Sequence, residues 1–561
     1  MFSTKPNIQQ LTALLLKADV RQVVVCPGSR NAALVHNFQM AGLQCYEVTD
    51  ERSAGFFAIG LMEANGGLPV AVCVTSGSAV LNLAPAVSEA YYRVLPLMVI
   101  SADRPQRWVG QMDGQTLPQQ DVFGQLSVKS VALPEADSDE ELWHCNRLVN
   151  ETLIKMRKTK RPVHINVPIA EPLFDFSSER LPEVRLMQWA NGSDGKFLLT
   201  ADMRQIWEST ERVLILVGQM LPNEMAVCAP LLSLLSETHC LVCAEHLSNI
   251  QTADEPLRYI GNFDEMLHAQ AFDAPDLLIT FGGHIVSKSL KKYLRNNPPA
   301  WHWHVSPQGD VADLFMCCTH LVETQPQALL SALNQHESAM FGKRKDYQQA
   351  MFAKSASVRG KECWGKNFCD LTVLKTIKQN LENLWHVQVA NSSMVRNWQL
   401  FDGMSNPVHG NRGVNGIEGS VSAAVGYWVG SGEPTLLLTG DLSFFYDKNG
   451  LWNKYVKSPS APLRIVLLNN HCGQIFHHLP GLESPCLEHS ISAQHDTVAE
   501  GVAMECGAKY LKAKNAAELE QVLEDFLDVE PVVKILEVVT ERDVNVKAHK
   551  EFYSLLKPSD R

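Results

Sequence analysis

The sequence predicts an α/β protein made of three doubly wound parallel-sheet domains in series, and three observations lead there. The chain has 561 residues, too long for one hydrophobic core and long enough for three or four domains. Short apolar runs rich in Val, Ile and Leu recur along it, and each stops at small or polar residues. Helix-like stretches separate the runs, and near-continuous apolar strands alternating with helices mark parallel sheets covered on both faces.

In the first unit, residues 1–180, the runs lie at 22–26, 70–77, 97–103 and 163–168. A polar interval from Asp175 to Lys196, rich in Ser, Glu, Pro and Gly, reads as a connection. The same rhythm resumes in a second unit, 195–335, with strands beginning near Arg212, Cys240, Leu277 and Trp301. A charged stretch over 336–365 reads as a helical linker. The third unit, 366–561, has strands around 386–393, 434–441, 463–470 and 532–539. Ligands in such sheets sit beyond the carboxyl ends of the strands, so the residues that follow each run matter most.

Composition narrows the function. With 45% hydrophobic and 20% charged residues the chain is ordinary globular protein. Its 49 basic and 61 acidic residues give a net charge of -12 without blocks of either sign, which argues against nucleic acid or a membrane surface as partner. The 14 cysteines are scattered, with Cys317 and Cys318 adjacent and no paired CxxC sets, so neither a disulfide framework nor a zinc site is expected. A reducing cytoplasm fits best. The apolar run from Leu11 to Leu16 is too short to span a bilayer, and no export signal precedes it.

Asp441 closes one strand of the third unit in a Gly-Asp turn, and Asn470 closes another in an Asn-Asn pair 29 residues on. That interval accommodates a helix joining parallel strands, so both residues face one crevice. An Asp carboxylate, an Asn amide oxygen and a backbone carbonyl can clamp Mg2+, which takes oxygen ligands and shares its shell with phosphates; helix N-termini meet the rest of a diphosphate's charge. Asp and Asn are also common in plain turns, and either residue alone carries little. In the first unit Glu51 stands in Asp50-Glu51-Arg52-Ser53, where a first-turn carboxylate is favoured in any helix.

Together the Gly-Asp, the spacing and the Asn-Asn resemble the diphosphate motif of thiamine diphosphate enzymes, and Glu51 resembles the glutamate that those enzymes hold beside the aminopyrimidine ring. Cys26-Pro27-Gly28-Ser29-Arg30, Thr75-Ser76-Gly77-Ser78-Ala79, Ser101-Ala102-Asp103-Arg104-Pro105, the run 410–419 containing Asn411-Arg412-Gly413, and the run 469–480 follow in one order along the chain. This series is similar to that of the 2-succinyl-5-enolpyruvyl-6-hydroxy-3-cyclohexene-1-carboxylate synthases of menaquinone biosynthesis. The resemblance implies a transferase that decarboxylates 2-oxoglutarate and adds the succinyl carbanion equivalent to isochorismate, releasing CO2. It implies thiamine diphosphate with Mg2+, or Mn2+ in its place, and a homodimer or homotetramer with active sites between subunits. The three units would be the pyrimidine-binding, central and diphosphate-binding domains.

Carried over residue by residue, the resemblance makes Glu51 catalytic. Asp441, the Asn470 side chain and the Cys472 carbonyl would ligate the metal, with Cys472 standing where the family usually has Gly. Thr75, Ser392, Ser393, Asn415, Ile417, Leu442, Ser443, Gly473, Gln474 and Ile475 would complete the cofactor site, Ile417 as the wedge between the two rings. Ser392, Arg396 and Arg412 would hold the oxoglutarate part, and Ser29, Arg30, Arg104, Gln115 and Lys288 isochorismate. Ile475, Phe476 and Leu479 would form an apolar wall. Two dicarboxylates require several fixed cations, and Arg is the best geometric match; the family can carry Lys-Arg where this chain has Lys288-Ser289. His471, His477 and His478 cluster near the metal motif without an assigned role. An acetolactate-synthase-like or 2-oxoacid decarboxylase activity, or a fold that has lost catalysis, are the competing readings. A nicotinamide dehydrogenase fails for want of GxGxxG after a first strand.

Overall fold

Parallel strands need crossovers of a dozen or more residues, and the chain supplies them in three successive sheets. The computed structural model describes residues 1–190, 195–253, 257–336, 338–359, 367–401, 405–479 and 481–557. Strands Gln22–Val25, Gln44–Glu47, Val70–Val74, Leu97–Asp103, Lys129–Ala132 and Val163–Pro168 form the first sheet. Their spatial order is second, first, third, fourth, sixth, fifth. Strands His386–Val389, Val408–His409, Thr435–Gly440, Leu463–Asn469, Lys509–Ala513 and Val533–Val539 form the last sheet in that same order. The middle sheet, Val213–Val217, Leu241–Ala244, Leu277–Phe281, Trp301–Val305 and His320–Val322, repeats the order without a sixth strand. All pairings within the sheets are parallel. The fold is therefore α/β, three parallel-sheet units in series.

Burial explains the pattern. Val70–Val74 and Leu463–Asn469 are buried at every position, as expected for strands covered on both faces. Of the polar interval Asp175–Lys196, residues 191–194 lie outside the described residues. So do 337 and 360–365 of the stretch 336–365. Within that stretch helix Phe341–Val358 lies on the second unit, with Arg344 buried over the Trp207 ring and donating to the Thr210 carbonyl. No helix among the described residues is long and apolar enough to cross a membrane.

One crossing organises the first and third units. Helices Glu51–Ala64 and Ser420–Ser431 each follow the second strand of their sheet. They meet backbone to backbone: a Cβ on Gly60 would lie 2.0 Å from the Ala423 carbonyl oxygen, and one on Gly426 2.1 Å from that of Phe57. Interior helix glycines cost about 0.5–1 kcal/mol relative to Ala; the close approach requires them. Around the crossing Phe56, Phe57 and Leu61 share one core with Val421, Val425 and Trp428.

Candidate active site

The diphosphate motif assembles as its spacing requires. Strands Thr435–Gly440 and Leu463–Asn469 pair in register, Gly440 against Leu468, so their following loops lie side by side. Asp441 begins helix Asp441–Tyr446 and is buried. One carboxylate oxygen accepts the Leu442 N–H at 2.7 Å. The other accepts the N–H groups of Asn470 and Cys472, both at 3.2 Å. His495, which the sequence reading passed over, sits 3.4 Å from that oxygen, and the bond to Asp441 raises its pKa. Burial, then the Asp441 charge, pushes the Cys472 thiol up to about 11, so it stays neutral. Cys472 itself keeps a negative φ, and the preceding His471 takes a φ of 63°.

Gln474 accepts from the Asn470 amide at 2.8 Å. Ser443 donates to the Ile417 carbonyl at 2.8 Å, tying the half-buried Ile417 to the Asp441 helix. Phe476 folds back on Gly473, its N–H bonded to the Gly473 carbonyl at 3.2 Å. Ile475 is half-buried and Leu479 exposed.

Asn391 links the segments that carry Arg396 and Arg412. Its amide donates to the Asn411 and Gly416 carbonyls, and its oxygen accepts from Arg412 at 2.6 Å. Arg396 donates to the Ser392 carbonyl. Arg412 is buried; burial, then the charge of Arg396, brings its pKa down to about 10, and its Nε has no partner. A buried guanidinium in the field of a second cation, with one donor unmade, suits an anion as partner. Counter-charges lie nearby: Asp264 and the buried Glu245, held by the N–H groups of Val286 and Ser287, act on Arg396, and Glu245 and Glu89 on Arg412. From the first unit, buried Glu89 accepts the N–H groups of Gly413 and Val414 at 2.8 and 2.9 Å, fixing the Arg412 loop. Lys288 is exposed on helix Lys288–Asn296. Ser289 turns to Asp264, while Lys291, three residues beyond Lys288, lies in the field of Arg412 and Arg396.

The first unit gathers a second set at its sheet edge. Glu51 opens helix Glu51–Ala64 behind the Asp50 cap and accepts from Asn82 at 3.1 Å. Thr75 is buried, with a hydroxyl that has no partner. Buried Arg30 donates to the Ile169 carbonyl and pairs with Glu171. Arg104 pairs with Asp113 at 3.0 Å and reaches the Gly114 carbonyl. Ser29 and Gln115 are exposed. Gln115, Ser392 and Asn415 all have left-handed φ, at 56°, 72° and 61°, and Ser392 at ψ -128° occupies a region costly for any side chain. Such strain concentrates at binding sites. Among the described residues, no hydrogen bond or ion pair joins Glu51, Arg30 or Arg104 to Asp441, Asn470 or Cys472.

The oxygen donors offered by Asp441, Asn470 and the Cys472 carbonyl suit a hard cation that shares its shell with a diphosphate. No group of three or more His, Cys, Asp or Glu side chains able to hold a metal occurs among the described residues, so a site built only from such side chains is not what the unit provides.

Comparison with known proteins agrees. The profile of the thiamine pyrophosphate enzyme N-terminal TPP binding domain matches residues 7–128. The 2-succinyl-5-enolpyruvyl-6-hydroxy-3-cyclohexene-1-carboxylate synthase of Bacteroides thetaiotaomicron is 43% identical over 568 residues, covering 99% of this chain and 100% of its own. That of Phocaeicola vulgatus is 42% identical over 585 residues, with 99% of each chain covered. That of Flavobacterium johnsoniae is 34% identical over 558 residues, covering 96% and 98%. With its parallel-sheet units, its strand-end Asp441 and Asn470 and this full-length similarity, the chain belongs to the 2-succinyl-5-enolpyruvyl-6-hydroxy-3-cyclohexene-1-carboxylate synthase family of thiamine diphosphate enzymes.

Proposed function

We propose that the chain decarboxylates 2-oxoglutarate and joins the remaining succinyl unit to isochorismate, using thiamine diphosphate and Mg2+. The observation that carries this reading is the half-buried Arg396 beside the buried Arg412, whose unpartnered Nε suits an anionic substrate group. A pyruvate-specific relative has no use for such a pair. Bound thiamine diphosphate supplies the electron sink for decarboxylation. Asp441, the Asn470 side-chain oxygen and the Cys472 carbonyl hold the metal. Glu51 holds a proton at the edge of the aminopyrimidine, and Thr75, Ser392, Ser393, Asn415, Leu442, Ser443, Gly473 and Gln474 line the cofactor. Arg396 and Arg412 orient the oxoglutarate carboxylates with Ser392, while Ile475, Phe476 and Leu479 exclude water. Ser29, Arg30, Arg104, Gln115 and Lys288 receive isochorismate.

The reading includes a homodimer or homotetramer in which Glu51 of one chain faces Asp441 of another. Two features support it: among the described residues Glu51 does not bond to Asp441, Asn470 or Cys472 within the chain, and Leu81, Trp108 and Met112 are exposed on the first unit. It also places the protein in a reducing cytoplasm, consistent with described cysteines that are all free thiols. The domains are taken as 1–180, 195–335 and 366–561. The test is CO2 release from 2-oxoglutarate against pyruvate, with and without isochorismate. Product should form only with 2-oxoglutarate and isochorismate together, and turnover of pyruvate alone would sink the reading. Arg396→Ala should raise the KM for 2-oxoglutarate roughly tenfold or more, as loss of a charged hydrogen bond implies, and that for isochorismate less; the reverse order would mean the two subsites are exchanged.

A further inference from the structure

We propose that Asn545, on the C-terminal helix Arg542–Leu556, is a positioning residue for the metal site: it sets the polarity of the Gln474 amide, which in turn keeps the Asn470 side-chain oxygen, rather than its NH2, turned to the metal. The inference rests on the reading of Asn470 as a ligand.

An asparagine amide has two ends of nearly equal size and opposite polarity, so packing alone does not choose between them. A ligand asparagine with the wrong end forward presents two positive hydrogens to a cation. Something must therefore fix the amide. The Asn470 NH2 donates to Gln474 Oε1 at 2.8 Å, and its oxygen, which accepts the Cys472 thiol at 3.5 Å, is the end turned away from Gln474. Gln474 could turn over just as easily; its NH2 faces His478 Nε2 at 3.4 Å and the Asp370 carboxylate, and Asn545, whose NH2 reaches the same Oε1 at 2.8 Å, holds the oxygen end. Asn545 is in turn fixed by a group that cannot be inverted: its oxygen accepts the backbone N–H of Asp370 at 2.8 Å. Its NH2 also meets the Asp370 carboxylate and the Thr540 hydroxyl, both at 3.0 Å, and Thr540 donates to that carboxylate at 2.7 Å.

Asp370, Gln474, Thr540 and Asn545 are all at most 5% exposed, so water cannot substitute for a wrongly turned partner. Polarity thus runs from the Asp370 N–H through Asn545 and Gln474 to Asn470. Asn545 lies 71 residues along the chain from Gln474, on a helix that packs against the turn Gln474–His478. No cofactor contact is asked of it; it acts through Gln474.

Asn545→Asp is close to isosteric and replaces the donor facing Gln474 by an oxygen. The measurement is the Mg2+ concentration needed for thiamine diphosphate binding, followed by calorimetry and tryptophan fluorescence on the full-length protein without substrate. The Mg2+ affinity should fall 10- to 100-fold, roughly the range seen when a residue supporting a metal ligand is lost. Thr540→Val, which removes a hydroxyl from the same network without reversing any amide, should lower the thermal midpoint and leave Mg2+ affinity within about twofold. If Asn545→Asp alone does not fold, Asp370→Asn with Asn545→Asp restores one carboxylate and one amide to the pair while still facing Gln474 with an acceptor, and the same loss is expected. A folded variant of either kind with wild-type Mg2+ affinity overturns the proposal. Wild-type protein whose thiamine diphosphate binding ignores Mg2+ would instead overturn the ligand role of Asn470.

Discussion

Single side chains in this molecule act through what surrounds them. Glu51 accepts from Asn82 and stands half-exposed at its helix start, a position from which it can meet a cofactor edge. Glu51→Gln keeps its size and loses its ionisable proton. Thiamine diphosphate affinity should change less than about threefold while kcat falls at least about 100-fold, the lower end of what a positioned acid or base contributes; wild-type turnover in this variant would remove Glu51 from the chemistry. Asp447 shows the opposite use of a carboxylate. It is fully buried, accepts from the Ser422 N–H at 2.7 Å and hydroxyl at 2.9 Å, and burial raises its pKa to about 6. A carboxyl whose folded pKa lies above its unfolded value binds its proton more tightly in the native state, so its contribution is present at low pH and lost as pH rises from about 4 to about 6. The thermal midpoint of the wild type relative to Asp447→Asn should therefore fall over that window and level off above it, and a difference that grows with pH would contradict the assignment.

At the level of elements, the helix crossing at Gly60 and Gly426 is the least forgiving contact. A methyl at Gly426 meets a backbone oxygen, which cannot swing aside. Gly426→Ala should cost about 1–3 kcal/mol, the usual range for overpacking, read as a lower denaturation midpoint. The central strands were legible because two-sided burial writes them as unbroken apolar runs. The sheet edges Lys129–Ala132, His320–Val322 and Lys509–Ala513 were not, since partly exposed positions there carry Lys, His and Tyr and break the run. Much the same holds for the site. Asp441 and Asn470 could be found from strand ends and spacing. His495, Glu89 and Asn545 could not, because each reaches the site from an element whose own sequence carries no chemical signature, and only tertiary packing brings it there. The role of Ser289 was obscured for a related reason: the residue turns to Asp264, while the nearby charge comes from Lys291, one turn later on the same helix.

For the whole molecule, no hydrogen bond or ion pair among the described residues joins Glu51, Arg30 or Arg104 to Asp441, Asn470 or Cys472. If sites form between chains, dilution should lower specific activity and thermal midpoint together, by mass action. Sedimentation at the same concentrations should show dissociation; a monomer of full specific activity would rule the arrangement out. The shared core of the first and third units has a second effect, on the time course of synthesis. The Phe56, Phe57 and Leu61 face is made early, yet its partners Val421, Val425 and Trp428 come some 360 residues later. At about 5–20 residues per second, that face waits roughly 20–70 s on the ribosome without its cover. Two glycine-lined helices that close on each other thus oblige a newly made chain to keep an apolar helix face without its final partner until most of the chain has emerged.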